Sequence, residues 1–261
     1  MKHLDLTFPS PAENLAADEA LLDWCEAGGG EESLRLWEPR EHFVVVGYAN
    51  RITTEVNVAT CGVRGIPIYR RCSGGGTVLQ GPGCLNYSLI LRITSGGPLH
   101  NIAVANQFIM RRNRAAIESV GRVTPRAPQD GGQRTPINRE QAARPTIAVR
   151  GHTDLAVRDR KFSGNSQRRR KHFLLFHGTF LLNFDLALIG ELLPLPSMQP
   201  AYREHRSHDR FLMNLDVPAE KVKAALRQAW QADERLKNPP LEKIKALALG
   251  KYATREWNFK F

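Results

Sequence analysis

The segment HFLLFHGTFLL, residues 172–182, is apolar at nearly every position. A strand with one wet face alternates apolar and polar residues, whereas one that is apolar throughout must be covered on both faces. A chain containing such a strand is committed to a layered fold, with a sheet in the middle and other elements packed above and below. The rest of the sequence supplies those layers. CLNYSLILRI, from Cys84, alternates with Leu85, Tyr87, Leu89, Leu91 and Ile93 on one face. SLRLWEP, FVVVGY, TIAV, TDLAV and RKFSGNSQ read as further strands, and a turn at Arg158–Arg160 joins TDLAV to RKFSGNSQ as a hairpin.

Helices surround these strands. Ser10 can cap a helix that begins at Pro11, and Glu13 completes a capping box; Leu15, Leu22 and Cys25 then share a face until Gly28–Gly30 stop it. HNIAVANQFIMRRNRAAIESVG predicts a second helix that buries Ile102, Ala105, Ile109, Ala116 and Val120. DLALIGELL, VPAEKVKAALRQAWQADERL (Val222, Leu226 and Ala229 inward) and LEKIKALALG follow. Strands in runs with helices around them make an α+β protein with a mixed, largely antiparallel sheet rather than regular βαβ alternation. The length of 261 residues and an apolar content of 42% suit one domain with a real core. Residues 121–146 carry Pro, Gly, Gln and Arg with no apolar period and read as a long flexible loop, either a lid or an insertion.

Several function classes drop out. No apolar run approaches the roughly 18–20 residues of a membrane span, and the N-terminus has no secretory pattern. Four cysteines (Cys25, Cys61, Cys72, Cys84) without CxxC pairing fit reduced thiols in a cytoplasmic protein. The formal charge of +11 favours an anionic partner. The basic runs Arg111–Arg114 and Arg168–Lys171 have no interleaved aromatics for base stacking, so nucleic acid is not the expected partner.

Two stretches carry chemistry. In RRCSGGGTVLQ, three glycines let backbone N–H groups converge on an anion with no Cβ in the way, and Arg70 and Arg71 can add bidentate contacts to phosphate oxygens. The pattern is neither GxGxxG nor GxxxxGK[ST], and a tight turn between strands is the plainer reading of SGGG alone. In the second stretch, Asp154 opens one hairpin strand and Lys161 the other, with Ser163 and Gly164 just beyond. A lysine beside a phosphate cradle can offset charge on a transferring group, and an aspartate there can hold Mg²⁺.

Taken in order, RRCSGGGTV, TDL, RKFSGNSQ and HGTFLL resemble the lipoate–protein ligase A family, whose pattern runs RRxSGGGxV, N-D-L, RKxSG and HGTLL. The resemblance extends from Ser10 to Pro200, and the closing EWNF is similar to the end of that family's large domain. It implies a single biotin/lipoate ligase catalytic domain, class II synthetase-like, with the glycine loop over the active site. It also implies an ATP-dependent ligase that makes lipoyl-AMP and passes the lipoyl group to a lysine of an acidic acceptor domain. The alternative is an octanoyl or lipoyl transferase working between carrier proteins without ATP. Carried over residue by residue, Arg71 and Gly74, Gly75, Gly76, Thr77, Val78 and Leu79 match the nucleotide- and acyl-binding loop. Lys161 matches the lysine that contacts the lipoyl carbonyl and the α-phosphate, Asp154 the aspartate of N-D-L, and His177 the histidine of HGTLL. Ser73, Ser163 and Gly164 complete the adenylate-binding set, with Asp154 as the candidate ligand for Mg²⁺; Arg70 and Asn86 would stand behind it.

The chain also departs from that pattern. Cys84 and Gln80 stand where the family commonly has Asn and His, and His152 and Thr153 replace the Arg-Asn pair before the aspartate. A cysteine facing the pocket raises a thioester intermediate, but related octanoyltransferases carry theirs elsewhere, and Gly151–Asp154 holds none. Cys84 is therefore read as structural. Two-domain ligases continue past the equivalent of Phe261, so a separate accessory protein, or a pre-activated acyl donor, is expected here.

Overall fold

The computed structural model describes residues 1–121 and 146–261. The long loop expected over 121–146 lies, apart from its two end residues, outside them. The strands are β1 (Lys2–Asp5), β2 (Ser33–Trp37), β3 (Phe43–Val46), β4 (Ile68–Arg70), β5 (Val78–Gln80), β6 (Cys84–Arg92), β7 (Ile147–Arg150), β8 (Asp154–Val157), β9 (Arg160–Arg169), β10 (Phe173–Leu181) and β11 (Glu234–Arg235). The helices are α1 (Pro11–Glu26), α2 (Ile52–Glu55), α3 (Val58–Val63), α4 (Ile102–Ser119), α5 (Leu186–Leu192), α6 (His208–Phe211), α7 (Ala219–Ala229), α8 (Leu241–Leu247) and α9 (Arg255–Asn258).

The main sheet runs β11-β1-β2-β6-β10-β9-β8-β7, and β4-β3-β5 form a small second sheet. The pairs β11/β1, β1/β2 and β3/β4 are parallel and the other pairs antiparallel, so the fold is α+β with a mixed, largely antiparallel sheet. Among the described residues, no helix is long and apolar enough to cross a membrane.

β6 and β10 lie at the centre and are buried on both faces. On one face Leu85, Tyr87, Leu89, Leu174, Phe176 and Phe180 pack with Ile109 and Ile117 of α4 and Val222 and Leu226 of α7. On the other, Ile90, Phe173 and Leu175 pack with Leu15, Leu21 and Leu22 of α1. Each such side chain, fully buried, contributes about 1.5–3 kcal/mol. Towards the C-terminal end of β10 the second face turns polar, at His177 and Thr179. The register sets these residues opposite Ser88 and Asn86 of β6. That break in an apolar surface is where the site forms.

α1 has the expected cap: Ser10 and Glu13 hydrogen-bond reciprocally. The hairpin turn is as read, with Arg158 and Asp159 both in the left-handed region, φ 49° and 59°. α4 departs in one place: Ile102, expected inside, is 58% exposed at the helix start, while Asn113 is buried. Asn113 is satisfied there, donating to Tyr87 Oη at 2.7 Å and accepting from Trp230 Nε1 at 2.8 Å. A purely apolar period cannot register a polar residue that finds both partners inside. Of the small sheet the sequence predicts only β3, because β4 and β5 are three residues each.

Candidate active site

Lys161 is the second residue of β9 and Asp154 begins β8, with a register shift between Leu155 and Ala156 where the two strands pair. Lys161 Nζ is 2.8 Å from Asp154 Oδ1, with side-chain exposures of 26% and 13%. The Tyr202 hydroxyl donates to Asp154 Oδ2 at 2.8 Å. Burial first, then the charge and hydrogen bond of Asp154, raise the Tyr202 phenol well above its ordinary range, so it acts as a donor. Gly164 forms the floor beneath the lysine: a Cβ there would lie 2.7 Å from Lys161 Cε and Nζ. Ser163, by contrast, is buried in the sheet at 1% exposure, paired with Leu155 and Phe180.

The candidate magnesium ligand, Asp154, already has a partner on each oxygen. Asp154 gives one oxygen to Lys161 and the other to Tyr202. A divalent cation there would share the carboxylate with the Lys161 ammonium. Among the described residues no group of three or more His, Cys, Asp or Glu gathers as a metal site.

The glycine loop spans β4 and β5, and its arginines do not do what the sequence suggested. Arg70 is fully buried and donates from Nη1 to the carbonyls of Gly47, Tyr48 and Asn50 and from Nε to those of Trp257 and Asn258. Arg71 donates from Nε to Ser73 Oγ at 3.1 Å, and from Nη2 to the carbonyls of Gly74 at 2.6 Å and Gly76 at 2.7 Å. Burial lowers its guanidinium to about 10. The carbonyls of Gly74 and Gly76 thus find their donor in Arg71. Arg71 is spent on Ser73 and the loop carbonyls and Arg70 on backbone carbonyls, with Arg70 Nη2 alone lacking a partner among the described residues.

The outer side of the loop matches the expectation better. Gly74, Gly75 and Gly76 are exposed, and among the described residues their N–H groups have no partner. Gly75 has φ +86°, and a Cβ on Gly47 would collide with its carbonyl. Ser166 of β9 donates to Gly74 O at 2.8 Å, Tyr48 N–H to Ser73 O at 2.8 Å, and Asn50 Nδ2 to Thr77 Oγ1 at 3.3 Å. Val78 and Leu79 continue into β5, Leu79 buried.

Beneath the loop lies the polar patch of the sheet. His177 Nε2 is 2.6 Å from Ser73 Oγ, and its Nδ1 is 2.8 Å from Asp18 Oδ2 on α1. Gln80, Thr179 and Asn86 close a ring of hydrogen bonds at 2.7, 2.5 and 2.9 Å. Gln80 in place of histidine is thus a structural member of the patch. Asp18, Tyr202, Ser166 and Thr179 were missed by motif reading. Asp18 left a trace, as an acid among the apolar residues of the helix AADEALL.

The cysteines stand apart from the site's chemistry. All four are buried and free. Burial pushes Cys84 to about 12, Cys25 to about 12 and Cys72 to about 11, and also raises Cys61. Cys84 packs among Val44, Leu79 and Phe184. In the Arg168–Lys171 run the three arginines are half-buried and hydrogen-bonded, while Lys171 is exposed. Arg168 donates to Cys72 O at 2.7 Å, Arg169 to Leu99 O at 2.7 Å, and Arg170 to Asp23 Oδ1 at 2.8 Å.

Residues 10–231 match the sequence profile of the lipoyl protein ligase A/B catalytic domain. The chain belongs to this family. It is 30% identical to the octanoyltransferase LipM of Exiguobacterium sibiricum, over 96% of this chain and 95% of that protein. It is 26% identical to lipoate–protein ligase 1 of Staphylococcus aureus, over 95% of this chain but 70% of the ligase. In fold it matches the bi-partite lipoate protein ligase of Thermoplasma acidophilum, solved in work on that ligase and its E2 lipoyl domain. The TM-score there is 0.70, with 21% identity over 99% of this chain and 95% of that one. The chain is thus an enzyme of the lipoate ligase and octanoyltransferase family. LipM proteins stand prominently among the similar sequences, at about 25% identity in another case, Geobacillus kaustophilus. They favour the transferase alternative over the ATP-dependent reading.

Proposed function

We propose that the enzyme transfers an octanoyl or lipoyl group to the ε-amino group of a lysine on a lipoyl domain, with Lys161 as the catalytic residue. The observation that carries this is Lys161 Nζ, seated on Gly164 and held by Asp154 of β8, on the strand β9 that also grips the glycine loop through Ser166. An ammonium there donates to the acyl carbonyl oxygen. The exposed N–H groups of Gly74–Gly76 face charge that grows as the carbonyl becomes tetrahedral, the kind of preorganised stabilisation that usually dominates acyl transfer. The acceptor amine attacks, the bond to the leaving group breaks, and the amine's proton departs with it.

LipM relatives support an acyl thioester on a carrier protein as donor, giving an amide on the acceptor and a free carrier thiol. The four buried thiols, all raised, speak for direct attack by the acceptor amine with no cysteine acyl-enzyme. A second reading, activation of free lipoate by ATP, is supported by the exposed glycine amides and by the staphylococcal ligase relative. Magnesium would then enter on the nucleotide's phosphates, and a second polypeptide, as in the bi-partite Thermoplasma ligase, would be expected. Under either reading the +11 charge suits an acidic acceptor domain.

The test supplies an acceptor domain with octanoyl-carrier protein in one arm, and with ATP, Mg²⁺ and lipoate in the other. Acylated acceptor is read by mass spectrometry and pyrophosphate by release. Acylation from the carrier without ATP, lost in Lys161→Ala, supports the transferase. ATP-dependent pyrophosphate release supports the ligase, and absence of acylation from the carrier overturns the proposed transferase.

A further inference from the structure

Asp18 lies on α1, 4% exposed, on a helix whose other buried residues are mostly apolar. Its carboxylate serves three donors. Arg35 Nη1 at 2.8 Å and Ser88 Oγ at 2.7 Å share Oδ1, and His177 Nδ1 approaches Oδ2 at 2.8 Å. Arg35 and an ionised carboxylate leave His177 one role at Nδ1, that of donor. With the ring in its neutral form, Nε2 is an acceptor and Ser73 Oγ, 2.6 Å away, gives it the hydroxyl proton. The lone pairs of Ser73 Oγ are thereby free for Arg71 Nε at 3.1 Å, and Arg71 holds the carbonyls of Gly74 and Gly76. One carboxylate thus heads a hydrogen-bonded path from α1 through His177 and Ser73 to the glycine loop.

We propose that Asp18 is a positioning residue of the transfer reaction. Through His177, Ser73 and Arg71 it sets the shape in which the glycine loop grips the acyl donor. This rests on the reading that the loop faces that donor. The nucleophile–base–acid order resembles a hydrolase triad, but Ser73 is 1% exposed behind the glycines, where a hydroxyl acts as a strut and cannot attack.

Asp18→Asn and Ser73→Ala test the chain. In Asp18→Asn the amide oxygen must face Arg35, which can only donate. The amide NH₂ then faces His177, and the ring proton moves to Nε2. The ¹⁵N spectrum of the imidazole should report that tautomer exchange, which loss of packing would not produce. Tyr48 N–H, donating to Ser73 O at 2.8 Å, reports the seat of the loop. Its hydrogen exchange should quicken about tenfold in both variants, the factor one buried hydrogen bond is worth. With acyl donor varied, KM should rise about tenfold while kcat stays within about twofold. Ser73→Ala leaves the Arg35–Asp18 pair intact and carries the test should Asp18→Asn fail to fold. Unchanged Tyr48 exchange in Ser73→Ala, or a wild-type acyl-serine adduct with the loss falling on kcat, overturns the proposal. Absence of any acyl transfer by the wild type would sink the transferase reading alone, and exchange and tautomer would still decide the positioning chain.

Discussion

Lys161 Nζ and Asp154 Oδ1 lie 2.8 Å apart across the β8–β9 hairpin, and the same carboxylate is held from its other side by Tyr202. The pair is partly open to solvent, so its Coulomb energy is screened and adds little to stability. Its worth is geometric. Lys161→Ala should lower acyl transfer by about 10²–10³-fold, the usual cost of losing one preorganised donor to an oxyanion. Lys161→Arg should rescue little, because a planar fork cannot take the place of a point charge above Gly164. Both variants should melt near the wild-type temperature.

Tyr202→Phe removes one hydroxyl and leaves Asp154 free to turn. Asp154 should then hold Lys161 less firmly, with kcat down about tenfold and stability down about 1 kcal/mol for the lost hydrogen bond. Steady-state kinetics with a urea titration separates the two effects. An unchanged kcat would remove Tyr202 from the site.

Two glycines near the lysine should answer a methyl group differently. In Gly164→Ala the new Cβ meets Lys161 Cε and Nζ at 2.7 Å, the far end of a flexible side chain. The lysine swings away, the fold holds, and transfer should fall about 10²-fold, as misplacement by an ångström does. In Gly178→Ala the Cβ strikes the Asn165 side chain and stands 2.8 Å from the backbone carbonyl of Gly164. Backbone in mid-sheet cannot yield, so this variant should lose stability. Thermal melts of the two side by side test the contrast.

How much of this was legible follows from where each residue sits in the chain. Lys161, Asp154 and the glycine loop fall in short contiguous stretches whose spacing is itself the signal. Tyr202 and Asp18 come from distant segments and meet the site only through the fold. Arg71 was legible in identity and illegible in direction, because sequence does not say whether a guanidinium points to a ligand or to its own loop. The doubly covered β10 was readable from its apolar run, yet its break at His177 and Thr179 gained meaning only opposite Ser88 and Asn86 of β6.

The thiols should be silent. With Cys84 pushed to about 12 and Cys72 to about 11, almost no thiolate exists at pH 8. Iodoacetamide at that pH should leave transfer activity intact, while denatured protein labels at all four cysteines. Cys84→Ala should retain activity and lose only stability, about 1 kcal/mol for the small cavity. Rapid inactivation of the native enzyme, protected by acyl donor, would restore a cysteine intermediate.

Acid should unfold the protein through α1. For Asp18 burial is the largest influence and opposes ionisation, but hydrogen bonds from His177 and Ser88 and the charge of Arg35 outweigh it, leaving the carboxyl below its ordinary range. Glu19 is alike: burial raises it, and Lys251, Tyr252 and Arg168 bring it lower still than an ordinary glutamate. A carboxyl depressed in the folded state stabilises fully above its unfolded value, about 4, and loses that contribution as pH falls through the folded value. Stability should therefore be flat from pH 7 to about pH 5 on this account and fall steeply below about pH 4. Glu19→Gln should cost stability at pH 7, where Lys251 Nζ loses a carboxylate partner at 2.6 Å. It should also flatten the acid limb, since one group that binds a proton on unfolding is gone. Urea titrations of both proteins at pH 7, 5 and 3 measure the difference, and curves that stay parallel down to pH 3 would show that Glu19 plays no part in it.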